Sequence, residues 1–209
     1  MHAGPKRILL DFGFVFTQAQ DPSVFDALLE ELGLERGPFM AAWARYRLEL
    51  DRGSLTPAAY WKTVLASCGV EGAEGFVDAR LAELVETDLA AWMLPRKDVH
   101  ALLQGFLDSG IDLAILSNMP PGIGARFEAA WPWIQRIPHR LFSGDIGLEK
   151  PNPAFYFHFL ERSGWEAAST LFVDDLKVNI EAAAALGFAV HHFIEEADAM
   201  RAMSEWVAA

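Results

Sequence analysis

Four short stretches of this chain place groups capable of chemistry at or near the ends of apolar runs. Asp11 follows Ile8-Leu9-Leu10, Ser117 and Asn118 follow the run from Ile111 to Leu116, and Asp174 and Asp175 follow Thr170 to Val173. The fourth is the loop from Gly147 to Pro153, GLEKPNP, which carries Lys150. A short apolar run bounded by turn signals predicts a buried strand. A carboxylate buried directly after such a run is costly unless it is paired or metal-bound. Each group is therefore expected at the carboxyl end of its strand, where open α/β sheets bind ligands. Each signal alone has a plainer reading, because a single Asp at a strand end also serves as a turn residue or helix cap. One of Asp174 and Asp175 is expected to cap the helix that starts near Leu176, but that accounts for neither the other nor Asp11. Gathered on one edge, the set supplies three carboxylates, a hydroxyl, an amide and an ammonium group. Adjacent carboxylates after an apolar strand need a compensating cation. An all-oxygen ligand set without His or Cys suits Mg²⁺. One divalent cation and Lys150 balance three carboxylates, so strict dependence on metal is expected.

The elements that position these groups follow from hydrophobic period. After Thr17 the pattern becomes helical. Asp21-Pro22 and Thr56-Pro57 read as helix caps followed by proline at the first helical position. About four helices are expected through Trp92, with no strand between them: one bearing Val24, Phe25, Leu28, Leu29 and Leu32 inward, one opened by Pro38, one after Thr56, and one from about Glu74. From Pro95 strands and helices alternate, with strands at 111–116, 140–142, 170–173 and 188–192. Such alternation predicts a doubly wound, Rossmann-like parallel sheet. The fold class is thus α/β with an inserted α-helical cap, the core spanning 1–19 and 93–209 and the cap 20–92.

Composition bounds the partners. The chain has 209 residues, 52% apolar and 22% charged, which is globular and not disordered. Its net charge of −12 argues against nucleic acid, whose phosphates need clustered Lys and Arg. No apolar run reaches the length of a membrane span, so no membrane partner is expected. The N-terminal apolar run is interrupted by Asp11 and lacks a convincing cleavage site, so no signal peptide is read and a cytoplasmic location is the default. The single cysteine, Cys68, excludes internal disulfides and multi-cysteine zinc sites, and reads as core filler. Monomer or homodimer is left open.

The residues also carry a resemblance. The segments LLDFGFVFT (9–17), AILSN (114–118), GLEKPNPAFY (147–156) and LFVDDLKVNIEAAAALG (171–187) resemble, in order, the motifs of the haloacid dehalogenase-like hydrolase superfamily. The branch is the one with a helical cap after the first strand, and the pattern is similar to its sugar-phosphate phosphatases and to the phosphatase domain of soluble epoxide hydrolases. The resemblance implies a Mg²⁺-dependent phosphatase acting on a small phosphorylated metabolite. Asp11 would take the phosphoryl group as an aspartyl-phosphate. Ser117 and the backbone amide of Asn118 would hold phosphate oxygens. Lys150 would neutralise the nucleophile and the transferring group. Asp174 and Asp175, with Asp11 and the Gly13 carbonyl oxygen, would hold the metal. Asn179 would orient a carboxylate or the phosphate.

The sequence departs from that pattern at one place. The phosphatases usually carry a second Asp two residues after the nucleophile as general acid and base, followed by glycine; here Gly13 and Phe14 stand there. Loss of a positioned acid costs about 10²–10⁴ in rate. The reaction would then rely on a good leaving group, on water or on a cap residue for its proton. Two rivals follow: a metal-independent hydrolase of carbon–halogen bonds, and a non-catalytic protein that binds a phosphorylated ligand. His139, His191 and His192 read as structural. Gly122-x-Gly124 reads as an ordinary loop, since Phe127 stands where a dinucleotide motif needs glycine. Arg45, Arg47 and Arg52 read as a solvated helix face, with contact to an anionic substrate as the alternative. Trp43, Tyr46 and Trp61 read as cap core. Trp131-Pro132-Trp133 is either a loop anchor or an interface patch.

Overall fold

The computed structural model describes residues 6–209, so the first five residues of the expected core segment lie outside it. Its centre is a five-stranded, wholly parallel sheet in the order β3-β2-β1-β4-β5. The strands are β1 (Arg7–Leu10), β2 (Asp112–Ser117), β3 (His139–Phe142), β4 (Thr170–Asp174) and β5 (Ala189–His192). Strand β1 is central because its side chains are apolar on both faces: Ile8, Leu9 and Leu10 are all fully buried. Ile8 and Leu10 join a cluster with Val99, Leu103 and Met203 on one face, and Leu9 joins Phe155, Phe159 and Phe172 on the other. Such two-sided burial is the signature of a parallel sheet covered by crossover helices.

Between β1 and the rest of the core runs the helical cap. A 3₁₀ turn (Pro22–Phe25) leads into α1 (Asp26–Leu32), followed by α2 (Arg36–Arg45), α3 (Arg47–Asp51), α4 (Pro57–Ser67) and α5 (Ala73–Ala90). The expected caps form: Asp21 accepts from the Ser23 amide and Thr56 from the Ala59 amide. The expected second helix is divided, because Tyr46 leaves helical geometry and starts α3 as a separate turn. The expected fourth helix bends at Arg80, whose φ/ψ is −127°/18°. The cap has its own apolar centre, in which Trp61 is packed by Phe25, Phe39 and Tyr60. Trp61→Ala should cost about 3–5 kcal/mol, read as a lowered urea midpoint. A loss below about 1 kcal/mol would mean that the cap collapses around the gap.

After α5, α6 (Lys97–Asp108) leads to β2, α7 (Ile123–Ala130) to β3, and the short α8 (Ser143–Ile146) with α9 (Pro153–Ser163) to β4. Helices α10 (Lys177–Ala185) and α11 (Glu196–Ala208) flank β5. Gly124 lies on α7, where a Cβ would sit 2.2 Å from the Phe142 ring. Close packing of α7 on β3 therefore explains this glycine. The Trp131-Pro132-Trp133 segment is a loop anchor: Trp131 stacks on Phe12, Trp133 stacks on Phe16, and both rings meet His100. Among the described residues no helix is long and apolar enough to cross a membrane.

Candidate active site

The order of the sheet brings the chemical groups together. Winding proceeds from β1 outward through β2 to β3, then returns to the other side of β1 for β4 and β5. The crevice beside β1 is thus the topological switch point where such sheets bind ligands. Leu10 is level with Ile115 on one side and Val173 on the other. Asp11, Ser117 and Asp174 consequently end three adjacent strands, and the Asp11 amide donates to the Val173 carbonyl at 2.9 Å.

Lys150 is the electrostatic hub. The residue is 2% exposed, and its ammonium lies 2.7 Å from Asp11 Oδ1 and 2.7 Å from Asp174 Oδ2. Burial disfavours the ammonium, but the charges of Asp11 and Asp174 outweigh it and hold its pKa above the ordinary lysine value. Asn118 positions this lysine through the backbone, with its side-chain amide accepting from the Lys150 N–H and donating to the Lys150 carbonyl, both at 2.9 Å. Asp174 is fully buried, caps the loop by accepting from the Leu176 amide, and receives the Asn179 amide on both oxygens at 3.0 and 3.1 Å. His192 and His191 follow on β5, the first bonded to the Asp175 carbonyl.

Asp175 stands apart from these pairings. Burial, reinforced by the charges of Asp11 and Asp174, pushes its carboxyl up to about 7. Oxygens of Asp11, Asp174 and Asp175 lie within 4.8 Å of one another. Asp11 Oδ1 is buried and, among the described residues, aligned with no hydrogen-bond donor, despite its ion contact with Lys150. Three clustered carboxylates against one ammonium, with a lone buried oxygen among them, are a donor set that fits a hard divalent cation. The Gly13 carbonyl, two residues on, accepts from the Val15 amide at 2.7 Å and keeps a second lone pair.

A cleft of about 320 Å³ opens onto these residues between core and cap, lined by Asp11, Ser117, Lys150 and Asp175 below and by Arg47 and Asp51 above. It adjoins a second, narrow cavity of about 40 Å³ whose walls are largely apolar, including Phe12, Leu89, Trp92, Met119, Ile123 and Phe127. Gly13, Arg47, Asp51, Trp92, Ser117 and Asn118 line both. The space beside Gly13 is taken by Trp92, whose ring would lie 3.3 Å from a Cβ at position 13. Phe14 meets that ring edge-on and is held at φ 57°, a left-handed conformation that normally favours glycine. The Trp92 indole N–H is buried without a partner among the described residues.

The solvated-face reading fails for Arg47. Its guanidinium is covered by Trp43 and Trp92, binds both oxygens of Asp88 at 2.8 Å, and binds Asp51 at 2.9 Å. Arg52 is half-exposed and pairs with Glu149 of the Lys150 loop at 2.5 Å, while Arg45 is exposed. The i,i+4 spacing of Arg47 and Asp51 signals an ion pair from sequence. Its burial under Trp92 and against Asp88 has no local signal.

Known proteins share this fold and part of this sequence. A family model described as haloacid dehalogenase-like hydrolase matches residues 58–187. The sesquiterpene phosphatase AstK of Aspergillus oryzae is 26% identical over 153 residues, covering 70% of this chain and 71% of that protein. Among solved structures, the wild-type HAD family enzyme BT-2542 of Bacteroides thetaiotaomicron, in complex with magnesium and inorganic phosphate, superposes with a TM-score of 0.62. It is 20% identical, and the match covers 90% of this chain and 94% of that one. L-2-haloacid dehalogenase from Xanthobacter autotrophicus is similar in fold, with a TM-score of 0.68, 22% identity and coverage of 97% and 84%.

Proposed function

Because the chain belongs to the haloacid dehalogenase-like hydrolase family, we propose that this hydrolase is a Mg²⁺-dependent phosphatase. Its substrate is a small phosphorylated metabolite, and the phosphoryl group passes through Asp11. The observation that carries this reading is the cluster of Asp11, Asp174 and Asp175 oxygens around the buried Lys150 ammonium at the switch point.

Asp11 attacks phosphorus, and the aspartyl-phosphate is then released by water. Lys150 holds Asp11 and Asp174 in place and draws charge from the transferring group. Ser117, at the end of β2, and the Asn118 amide bind phosphate oxygens. Asn179 keeps Asp174 turned toward the site. Asp11, Asp174, Asp175 and the Gly13 carbonyl would hold Mg²⁺, which when bound supplies charge neutralisation for a phosphate dianion. The magnesium and phosphate of BT-2542 and the phosphatase activity named for AstK support the same chemistry. The largely apolar walls of the cavity beside the cleft favour a substrate whose organic part is apolar, in line with the sesquiterpene in the name of AstK. The carbon–halogen alternative is disfavoured, because a metal-free attack on carbon has no use for two adjacent acids.

Hydrolysis of p-nitrophenyl phosphate with Mg²⁺ and with excess chelator tests the reading. Turnover should be lost in chelator and return on adding Mg²⁺. Mg²⁺ should also raise the melting temperature, since a ligand bound only to the native state stabilises it. Full activity in chelator would reject the metal site. A folded, Mg²⁺-stabilised protein without turnover that also fails to bind beryllium fluoride would favour the non-catalytic alternative, whereas binding would point to a cap that excludes the probe.

A further inference from the structure

We propose that Asp51, delivered by the cap, is the acid that protonates the leaving group and the base that then activates water, filling the role that Gly13 has vacated. The inference rests on the phosphatase reading above. Position 13 has no side chain, and the Trp92 ring occupies the space beside it. The acids lining the cleft are Asp11, Asp51 and Asp175, and those lining the apolar cavity are Asp51 and Asp88. Asp51 is the acid common to both, at the passage between the nucleophile and the pocket suited to the leaving group.

The hydrogen-bond pattern decides which cap carboxyl can carry a proton. Arg47 is one cation shared by two acids. Asp88 takes Arg47 Nη1 on both oxygens at 2.8 Å and the Trp43 indole N–H at 2.7 Å. Asp51 takes only Arg47 Nε, on Oδ1 at 2.9 Å, leaving Oδ2 without a donor among the described residues. Its side chain is 15% exposed. One guanidinium cannot compensate two buried carboxylates, and the excess charge is relieved by protonating the one with fewer donors. The groups facing Asp51 are Arg47 beside it on α3, Asp88 and Tyr60 from the cap, and Asp11 from the core. Burial first, then Asp88 and Asp11 against Arg47, raise its carboxyl to about 6, close to the pH at which one group can both give and take a proton. Its place over the core is fixed: Ser143 Oγ donates to the Asp51 carbonyl, and neighbouring Arg52 grips Glu149 beside Lys150.

In the first step an Asp11 oxygen bonds to phosphorus as the phosphorus–oxygen ester bond breaks. The ester oxygen leaves with the bonding pair and takes the Asp51 proton, giving the alcohol. In the second, water adds to phosphorus and passes a proton to the Asp51 carboxylate. Asp11 departs with its oxygen and electron pair, giving inorganic phosphate.

The test compares octyl phosphate, a poor leaving group, with p-nitrophenyl phosphate, a good one, in wild type and Asp51→Asn. For octyl phosphate kcat/KM should fall about 10²–10⁴-fold, and for nitrophenyl phosphate at least about tenfold less, since nitrophenolate needs little protonation. Wild type alone supplies a second measurement, independent of whether the variant folds. Its octyl phosphate rate should decline as pH rises above about 6, where Asp51 loses its proton, and the nitrophenyl rate should not share that limb. Equal losses on both substrates, no loss on either, or a common pH limb would overturn the assignment while leaving the phosphatase reading intact. Absence of metal-dependent turnover of both esters by wild type would instead overturn the phosphatase reading, and this inference with it.

Discussion

Asp11→Asn is expected to reduce turnover of any phosphate ester by about 10⁴-fold or more, the scale seen when a covalent nucleophile is removed. The substitution is nearly isosteric, so it tests chemistry more than packing. Asn keeps a carbonyl oxygen beside Lys150 but loses the negative charge and nucleophilicity that carry the reaction. The backbone is undisturbed, because the Asp11 amide bond to Val173 does not depend on the side chain. One of two carboxylates held by a single buried ammonium becomes neutral, so the metal-free variant should melt no lower than wild type. Kinetics and melting must therefore be read together. A folded variant within tenfold of wild-type activity would remove Asp11 from the reaction. The variant does not separate phosphatase from carbon–halogen hydrolase, since Asp11 is the nucleophile in both; the chelator experiment does.

The second large effect is expected at Lys150. Lys150→Met keeps the length and apolar body of the side chain and removes the cation. Asp11 and Asp174 would then face each other in a buried site, with Asn179 and the Leu176 amide as the remaining donors to Asp174. Removing one partner of a buried ion pair costs about 3–5 kcal/mol, because the other charge is left uncompensated. That cost should appear as a lowered melting temperature in chelator and should shrink in Mg²⁺, which restores positive charge among the same oxygens. Activity should fall by about 10²–10³ even with metal, the scale for losing one preorganised charge at a transition state. A variant as stable as wild type in chelator would mean that Lys150 is not the compensating charge.

How much of this was legible depended on how local each cause was. The parallel sheet was legible because two-sided apolar strands alternating with amphipathic helices have few other solutions. The caps at Asp21 and Thr56 were legible because a side chain reaching an amide two or three residues away is a local event. The division of the second cap helix at Tyr46 and the bend at Arg80 were not, because they answer to packing between helices that no local pattern encodes. Arg47 was misread for the same reason: its two arginine neighbours in sequence, Arg45 and Arg52, suggest a solvated face, while Trp43, Trp92 and Asp88 bury it from segments up to 45 residues away.

The sequence by itself determined the inventory of the site. Strand ends marked Asp11, Ser117 and Asp174 and the loop marked Lys150, because residue type and period are local quantities; that an acid is missing at Gly13 followed from the resemblance to the family. Only the tertiary structure decided the rest. The order of the sheet set β1 between β2 and β4 and so put the Lys150 ammonium within 2.7 Å of two carboxylates. The docking of the cap filled the space beside Gly13 with Trp92 and brought Asp51 over the cleft. Charge compensation and cavity shape arise between segments distant in the chain, so they exist only once the chain has closed on itself.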